Sequence, residues 1–361
     1  MAKRVLVAMS GGVDSSVAAL LLKEQGYEVI GAHMKLWDYV DVGGDVYKDG
    51  RCCTIDSITD CRFVCDAVGA PFYVLNLSAH FRDTVIENFV EEYRAGHTPN
   101  PCVKCNSEVK WAEFYRKARE LGCDFIATGH YAFIESLPNG RYGIRKGVDG
   151  TRDQSYVLWG VSQEALSKTL MPLGGLLKTR VREIASQHNL RTALKPESRE
   201  ICFVADNDYR RFLTEYEAKR GRQFEPGEVI HENGEILGRH NGTAFFTIGQ
   251  RKGLGIAHPT PLYVQRVDVE KHQVIVGDND SLYVGELTAN SVNWVSRAAA
   301  DGDFTAEVKI RYLHQPALAT VSPLTPNTVR IRFQDKQRAV AAGQSVVFYD
   351  GDLLIGGGII A

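Results

Sequence analysis

The apolar run Arg4-Val5-Leu6-Val7-Ala8-Met9 passes directly into Ser10-Gly11-Gly12-Val13-Asp14-Ser15-Ser16. That motif opens Val17 to Gln25, a helical stretch closed by Gly26. A buried strand feeding a glycine-rich turn at a helix N-terminus leaves few folds open. Such a turn presents backbone N–H groups and the positive end of a helix dipole, which is an anion site that phosphate commonly fills. Gly11 and Gly12 carry no Cβ, so a charged group can approach closely. Ser10, Ser15 and Ser16 add hydroxyls, and Asp14 is placed to hold Mg²⁺ or the helix start. The motif lacks the lysine of Gly-x-x-x-x-Gly-Lys-Ser/Thr, so it is not the ordinary nucleotide P-loop. A plain connecting turn is the alternative; strand, motif and helix in register favour the anion site.

The length of 361 residues allows two or three domains. Through the first 200 residues short apolar runs alternate with helical stretches, which predicts an α/β fold with a parallel sheet. Expected strands are Glu28–Met34, Phe72–Leu77 and Phe125–Thr128. Expected helices are Thr54–Val68, Phe81–Ala95, Asn106–Leu121, Gln163–Thr169 and Lys178–Asn189. Tyr131 to Arg145 reads as a hairpin turning at Asn139-Gly140. After a basic helix, Tyr209–Arg220, glycine-punctuated β runs follow, with two strands between Leu262 and Val276. Beyond Leu282 five or six short strands suggest a small barrel, with turns such as Asp301-Gly302 and Asp350-Gly351. The division expected is 1–207 for the α/β domain that carries the loop, 208–280 for a small central β-rich linker domain, and 281–361 for a β-barrel. No apolar run is long enough for a membrane span, and Met1-Ala2-Lys3-Arg4 leads straight into a strand, so a cytoplasmic protein is expected. A net charge of −2 gives no global attraction to nucleic acid, so any such partner must meet a local basic patch.

Eight cysteines in such a chain read as thiols, ligands or catalytic groups rather than a disulfide framework. Cys102 and Cys105 lie in His97-Thr98-Pro99-Asn100-Pro101-Cys102-Val103-Lys104-Cys105-Asn106, where two prolines argue for a loop running into a helix near Asn106. Thiols at a helix N-terminus beside Lys104 are expected to ionise readily. Cys202, in Arg199-Glu200-Ile201-Cys202-Phe203, also sits beside an arginine, after a flank, Lys195-Pro196, that opposes helix. Cys61, Cys65 and Cys123 read as small buried hydrophobes. Cys52-Cys53 carries no clear role.

The loop resembles that of the ATP pyrophosphatases, which grip the pyrophosphate of ATP and transfer AMP to a substrate oxygen. Thr98 to Asn106, Thr128-Gly129-His130-Tyr131, Arg152-Asp153-Gln154-Ser155-Tyr156, Ser198-x-x-Ile201-Cys202-Phe203 and Gly249-Gln250-Arg251-x-Gly253-x-Gly255 follow in order. Together they are similar to the bacterial tRNA-specific 2-thiouridylases, along essentially the whole chain. The resemblance implies an adenine-nucleotide-hydrolase-like first domain and ATP-dependent replacement of O2 of the wobble uridine by sulfur. It implies ATP with Mg²⁺, tRNA, and a persulfide sulfur donor or carrier protein, with no membrane and no DNA. Ala8, Met9, Ser10, Gly11, Gly12, Val13, Asp14, Ser15, Met34 and Gly129 match its ATP positions. Asn100, Pro101 and Cys102 match the segment that meets the target base. Arg152, Asp153, Gln154, Arg311, Tyr312, His130 and Gln344 match its tRNA contacts. Cys202 would carry a persulfide and Cys105 would attack it, leaving a Cys105–Cys202 disulfide to be reduced. The extruded uridine and aromatic or arginine contacts suit RNA chemistry.

Many members of that family carry aspartate where Cys102 stands. The change creates Cys-x-x-Cys, so Cys102, Cys105 and Cys202 form an alternative ligand set for an iron–sulfur cluster with an open iron, or for zinc. Three other readings stay open: an adenylating ligase of a small molecule, an RNA thiolase acting at another base, and a redox-sensing module that only binds nucleotide.

Overall fold

The computed structural model describes residues 2–38, 42–43, 55–196, 201–204, 206–299 and 302–361. Cys52-Cys53, Arg199-Glu200, Ser198 and the first residue of the Asp301-Gly302 turn lie outside them.

Strand β1 (Arg4–Met9) is buried on both faces, as its unbroken apolar run requires. Its alternating residues divide two cores. Val5, Val7 and Met9 pack with α1 (Val13–Glu24) and α2 (Ile55–Ala67). Leu6 and Ala8 face the other core, shared with Phe89 and Val109. β2 (Glu28–Lys35), β3 (Phe72–Asn76), β4 (Phe125–Ala127) and the short β7 (Thr169–Leu170) join β1 in a parallel sheet ordered β3-β2-β1-β4-β7. The second core is closed by two compound helices. One, α3, joins the segments Ser78–Phe81, Arg82–Ile86 and Glu87–Arg94; the other, α4, joins Pro101–Lys104, Cys105–Glu113 and Phe114–Glu120. Each carries a wider, π-wound stretch, Arg82–Ile86 and Cys105–Glu113. Helix α5 (Lys178–Gln187) packs against α1, and α6 (Tyr209–Ala218) lays Phe212 against Phe89 and Phe203.

The hairpin forms as β5 (Ala132–Ser136) and β6 (Tyr142–Lys146). The helix expected over Gln163–Thr169 stops at Leu166, because Thr169 and Leu170 pair with β4 as an edge strand. The middle part is a four-stranded sheet ordered β10-β11-β8-β9, from β8 (Gly227–His231), β9 (Ile236–His240), β10 (Tyr263–Asp268) and β11 (Gln273–Gly277). Strands β12 (Tyr283–Trp294), β13 (Phe304–Lys309), β14 (Ala317–Thr325), β15 (Thr328–Arg338), β16 (Ser345–Asp350) and β17 (Leu353–Ile360) form an antiparallel barrel, closed by β12 pairing with β17. Inward residues such as Val308, Val321, Ile331 and Val346 fill it.

The hairpin stands outside the parallel sheet and continues the barrel's sheet: Arg145 and Ile144 pair with Leu353 and Leu354. Tyr156 Oη donates to Ser345 O at 2.7 Å, and Arg141 Nε donates to Val295 O at 2.9 Å. The barrel is thereby fixed against the first sheet. Among the described residues no helix is long and apolar enough to cross a membrane.

Candidate active site

The loop after β1 is ordered by its own hydroxyls. Ser15 Oγ and Ser16 Oγ donate to Gly12 O at 3.1 and 2.9 Å, and Thr192 Oγ1 donates to Ser16 Oγ at 2.9 Å. Gly11 has φ +75°, and a Cβ there would lie 2.7 Å from Ser57 O, so glycine is required on both counts. Gly129, where β4 ends, presses on the same loop: a Cβ would meet the Asp14 carbonyl carbon at 2.8 Å and Ser15 N at 2.9 Å. Ala8, Met9 and Met34 are buried beneath, and Val13 opens α1.

Asp14 lies in the first turn of α1 and faces two partners absent from the local motif. Lys178 Nζ, from the start of α5, sits 2.7 and 2.8 Å from its two carboxylate oxygens. Tyr131 Oη donates to Oδ1 at 2.6 Å. A carboxylate at the mouth of an anion loop fits Mg²⁺ brought in with a nucleotide, whose phosphate charge the ion would neutralise.

The thiol segment departs from expectation. Cys102 and Cys105 are helical, not in a loop: Asn100 Oδ1 caps the start of α4 by accepting from Val103 N at 3.4 Å, and Pro101 takes the first helical position. Proline is favoured there because that N–H needs no intrahelical partner. Cys105 stands where the helix widens, and such π-wound turns often mark functional sites. The expectation of ready ionisation fails for Cys102. Its side chain is exposed, yet crowded by surrounding protein, and desolvation pushes its thiol up while Lys110 opposes the shift. Lys104, the expected helper, pairs with Glu108 at 3.7 Å. The barrel's Tyr312 is near enough to feel Cys102: burial, foremost, and Asp153 push its phenol up, with Cys102 contributing.

His130 lines the same region. Its ring lies 5.3 Å from that of Trp111, its Nδ1 is 2.8 Å from Thr128 Oγ1, and burial with Lys110 nearby drives its pKa well down. It is neutral at physiological pH. Cys202 is half-buried beside the core that contains Cys105, and neither is in a disulfide. Cys61 and Cys65 are fully buried, and burial lifts the Cys65 thiol to about 12; Cys123 is only half-buried, with its thiol raised to about 11. Among the described residues no three His, Cys, Asp or Glu side chains gather into a group that could hold a metal ion.

The RNA-matching residues have structural partners. Asp153 accepts from Gly147 N, Ser155 N and Ser155 Oγ, and Gln154 Oε1 accepts from Tyr131 N at 3.0 Å. Tyr312 Oη donates to Asp153 O at 2.8 Å, carrying the barrel to that turn. Arg152 is half-buried and Arg311 exposed. Gln344 Nε2 donates to Thr98 O at 2.8 Å and Pro99 O at 3.3 Å, fixing the entry to α4. Sequence reading missed Lys178, Lys110, Trp111 and the phenol of Tyr131. No local signal marks Lys178, which lies far along the chain from Asp14.

Family models match residues 3–206 as a tRNA methyl transferase HUP domain, 210–278 as a tRNA methyl transferase PRC-barrel domain and 284–360 as an aminomethyltransferase β-barrel domain. The tRNA-specific 2-thiouridylase MnmA of Geotalea uraniireducens is 50% identical over 359 residues, 99% of this chain and 95% of that protein. The chain belongs to the tRNA-specific 2-thiouridylases. Further 2-thiouridylases of this name, from Geobacter metallireducens and Clostridioides difficile, are 50% and 46% identical over 99% and 100% of the chain, covering 96% and 98% of their own lengths. Within this 2-thiouridylase the loop, the Cys102–Cys105 helix and the barrel's Tyr312 converge around the end of β4.

Proposed function

We propose that this enzyme uses ATP to replace O2 of the wobble uridine of tRNA by sulfur. One observation carries the reading. At the end of β4, the His130 ring packs at a tilt against Trp111 of the thiol helix while the next residue, Tyr131, bonds Asp14 of the anion loop. The nucleotide loop and the helix that carries the thiols thus meet at one strand end.

In this reading residues 1–207 bind ATP and catalyse, 208–280 link, and the barrel 281–361 contacts tRNA. Uridine O2 attacks the α-phosphorus; the O2–P bond forms, the bond to the bridging oxygen breaks, and pyrophosphate leaves with that electron pair as N3 gives up its proton. Cys105 thiolate attacks the inner sulfur of a Cys202 persulfide, so a Cys105–Cys202 disulfide forms and hydrosulfide leaves. Hydrosulfide bonds C2, AMP departs with O2, and the sulfhydryl proton returns to N3. A thiol reductant then restores both cysteines.

The test is full-length, iron-free protein with ATP, Mg²⁺, unmodified tRNA and a persulfide donor, followed by mass spectrometry of the digested tRNA. Multiple turnovers of 2-thiouridine are expected; pyrophosphate release without tRNA, or no thiolated base, would favour a small-molecule ligase.

Gln344 is expected to act on this reaction through the loop it holds. Gln344→Ala should lower kcat about tenfold, the loss of two hydrogen bonds that aim α4, while tRNA affinity stays within about twofold. An equal loss of tRNA affinity would instead make it a direct contact.

A further inference from the structure

The anion loop has N–H donors and hydroxyls but no cation of its own, although a leaving pyrophosphate carries several negative charges. We infer that Lys178 is a catalytic residue of the ATP half-reaction, the cation that meets the pyrophosphate as its bond to the α-phosphorus breaks. The inference rests on the proposed use of ATP and deepens it.

The placement is specific. Lys178 is buried, 8% exposed, a burial that lysine tolerates only with a partner. Its Nζ reaches both Asp14 oxygens and lies 5.7 Å from the centre of the Tyr131 ring. Its backbone N–H donates to Asp149 Oδ2 at 3.0 Å, and this bond, foremost, keeps the Asp149 carboxyl low and charged. Main chain and side chain are both held, so the ammonium is aimed at the loop before any ligand arrives. Preorganised charge of this kind needs no reorganisation when negative charge develops.

Asp14 holds the site ready. With no nucleotide its carboxylate is the counter-charge that holds the Lys178 side chain inward. When Mg²⁺ arrives with the triphosphate, Asp14 faces the metal and Lys178 faces the phosphate oxygens. A P-loop obtains its lysine from the loop itself; this fold supplies one from a helix that reaches the loop only through the tertiary structure.

Inorganic pyrophosphate with Mg²⁺ is the probe, titrated calorimetrically into the full chain, with AMP titrated separately. Lys178→Gln should weaken pyrophosphate binding at least about tenfold and leave AMP binding unchanged. Unchanged pyrophosphate binding would overturn the assignment. If Lys178→Gln fails to fold because Asp14 is left unpaired, Asp14→Asn is compared with Asp14→Asn/Lys178→Gln, which removes that charge first. A further loss of pyrophosphate affinity in the double variant supports the assignment; equal affinity overturns it. These titrations contain no tRNA, so failure of the thiolation reading, seen as absent 2-thiouridine, is separate from failure of the Lys178 assignment.

Discussion

Cys202→Ser is expected to release pyrophosphate in the presence of tRNA at close to the wild-type rate, while 2-thiouridine formation falls by on the order of a thousandfold or more, the scale lost when a nucleophile is deleted. The argument is spatial. The anion loop is built from β1, α1, β4 and α5, and Cys202 belongs to none of them; it borders the other core, where Cys105 is buried. Removing its sulfur should leave Asp14, Lys178 and Gly129 where they are. Cys105→Ser should show the same split with one added signature, a persulfide that accumulates on Cys202 and adds one sulfur to the mass of its peptide. Cys102→Ser should cost far less, because its thiol is held protonated by desolvation and does not ionise readily. Separate assays of pyrophosphate and 2-thiouridine check all three. Full thiolation by Cys202→Ser would remove it as sulfur carrier, and loss of pyrophosphate release would tie it to the nucleotide instead.

What the sequence disclosed follows the range of the interactions involved. The anion loop was legible because strand, turn and helix are contiguous. The hairpin was legible because Asn139-Gly140 supplies turn chemistry between two alternating runs. Long-range partnerships were not. Lys178 reaches Asp14 only after a crossover places α5 beside α1. The side chains of Asp153 and Gln154 hold the turn and Tyr131, which no spacing rule discloses. The Cys102 segment misled in a different way: two prolines suggested loop, but Asn100 followed by Pro101 is a helix start, and the cap outweighs the breaker. Strand β12 is bulged. Its pairing slips between Asn290 and Asn293, and Ser291 takes φ +52°, which destroys the period-two alternation by which strands are recognised.

Gly129→Val should slow the ATP step by about a hundredfold or more in a protein that still folds. A Cβ at this position would sit 2.8 and 2.9 Å from backbone atoms of Asp14 and Ser15. Backbone at a helix start cannot rotate aside as a side chain tip can, so the loop must shift, and the branched valine adds to the displacement. A shift approaching 1 Å in groups that hold a reacting phosphate costs about a hundredfold in rate. Pyrophosphate release should therefore fall by about that factor or more, with thiolation falling in parallel because it depends on the first step. Overpacking of this kind costs about 1–3 kcal/mol, which for a chain of this size appears as a few degrees in Tm, short of unfolding at assay temperature. Gly129→Ala should show the same direction with a smaller loss, since its single methyl already makes both contacts. Gly302→Ala is the control: among the described residues no atom lies within 4 Å of its Cβ and its φ is not in the left-handed region, so neither rate nor Tm should move. Full pyrophosphate release by Gly129→Val would mean that the phosphates do not sit on this loop, and the nucleotide would have to be sought elsewhere on the sheet.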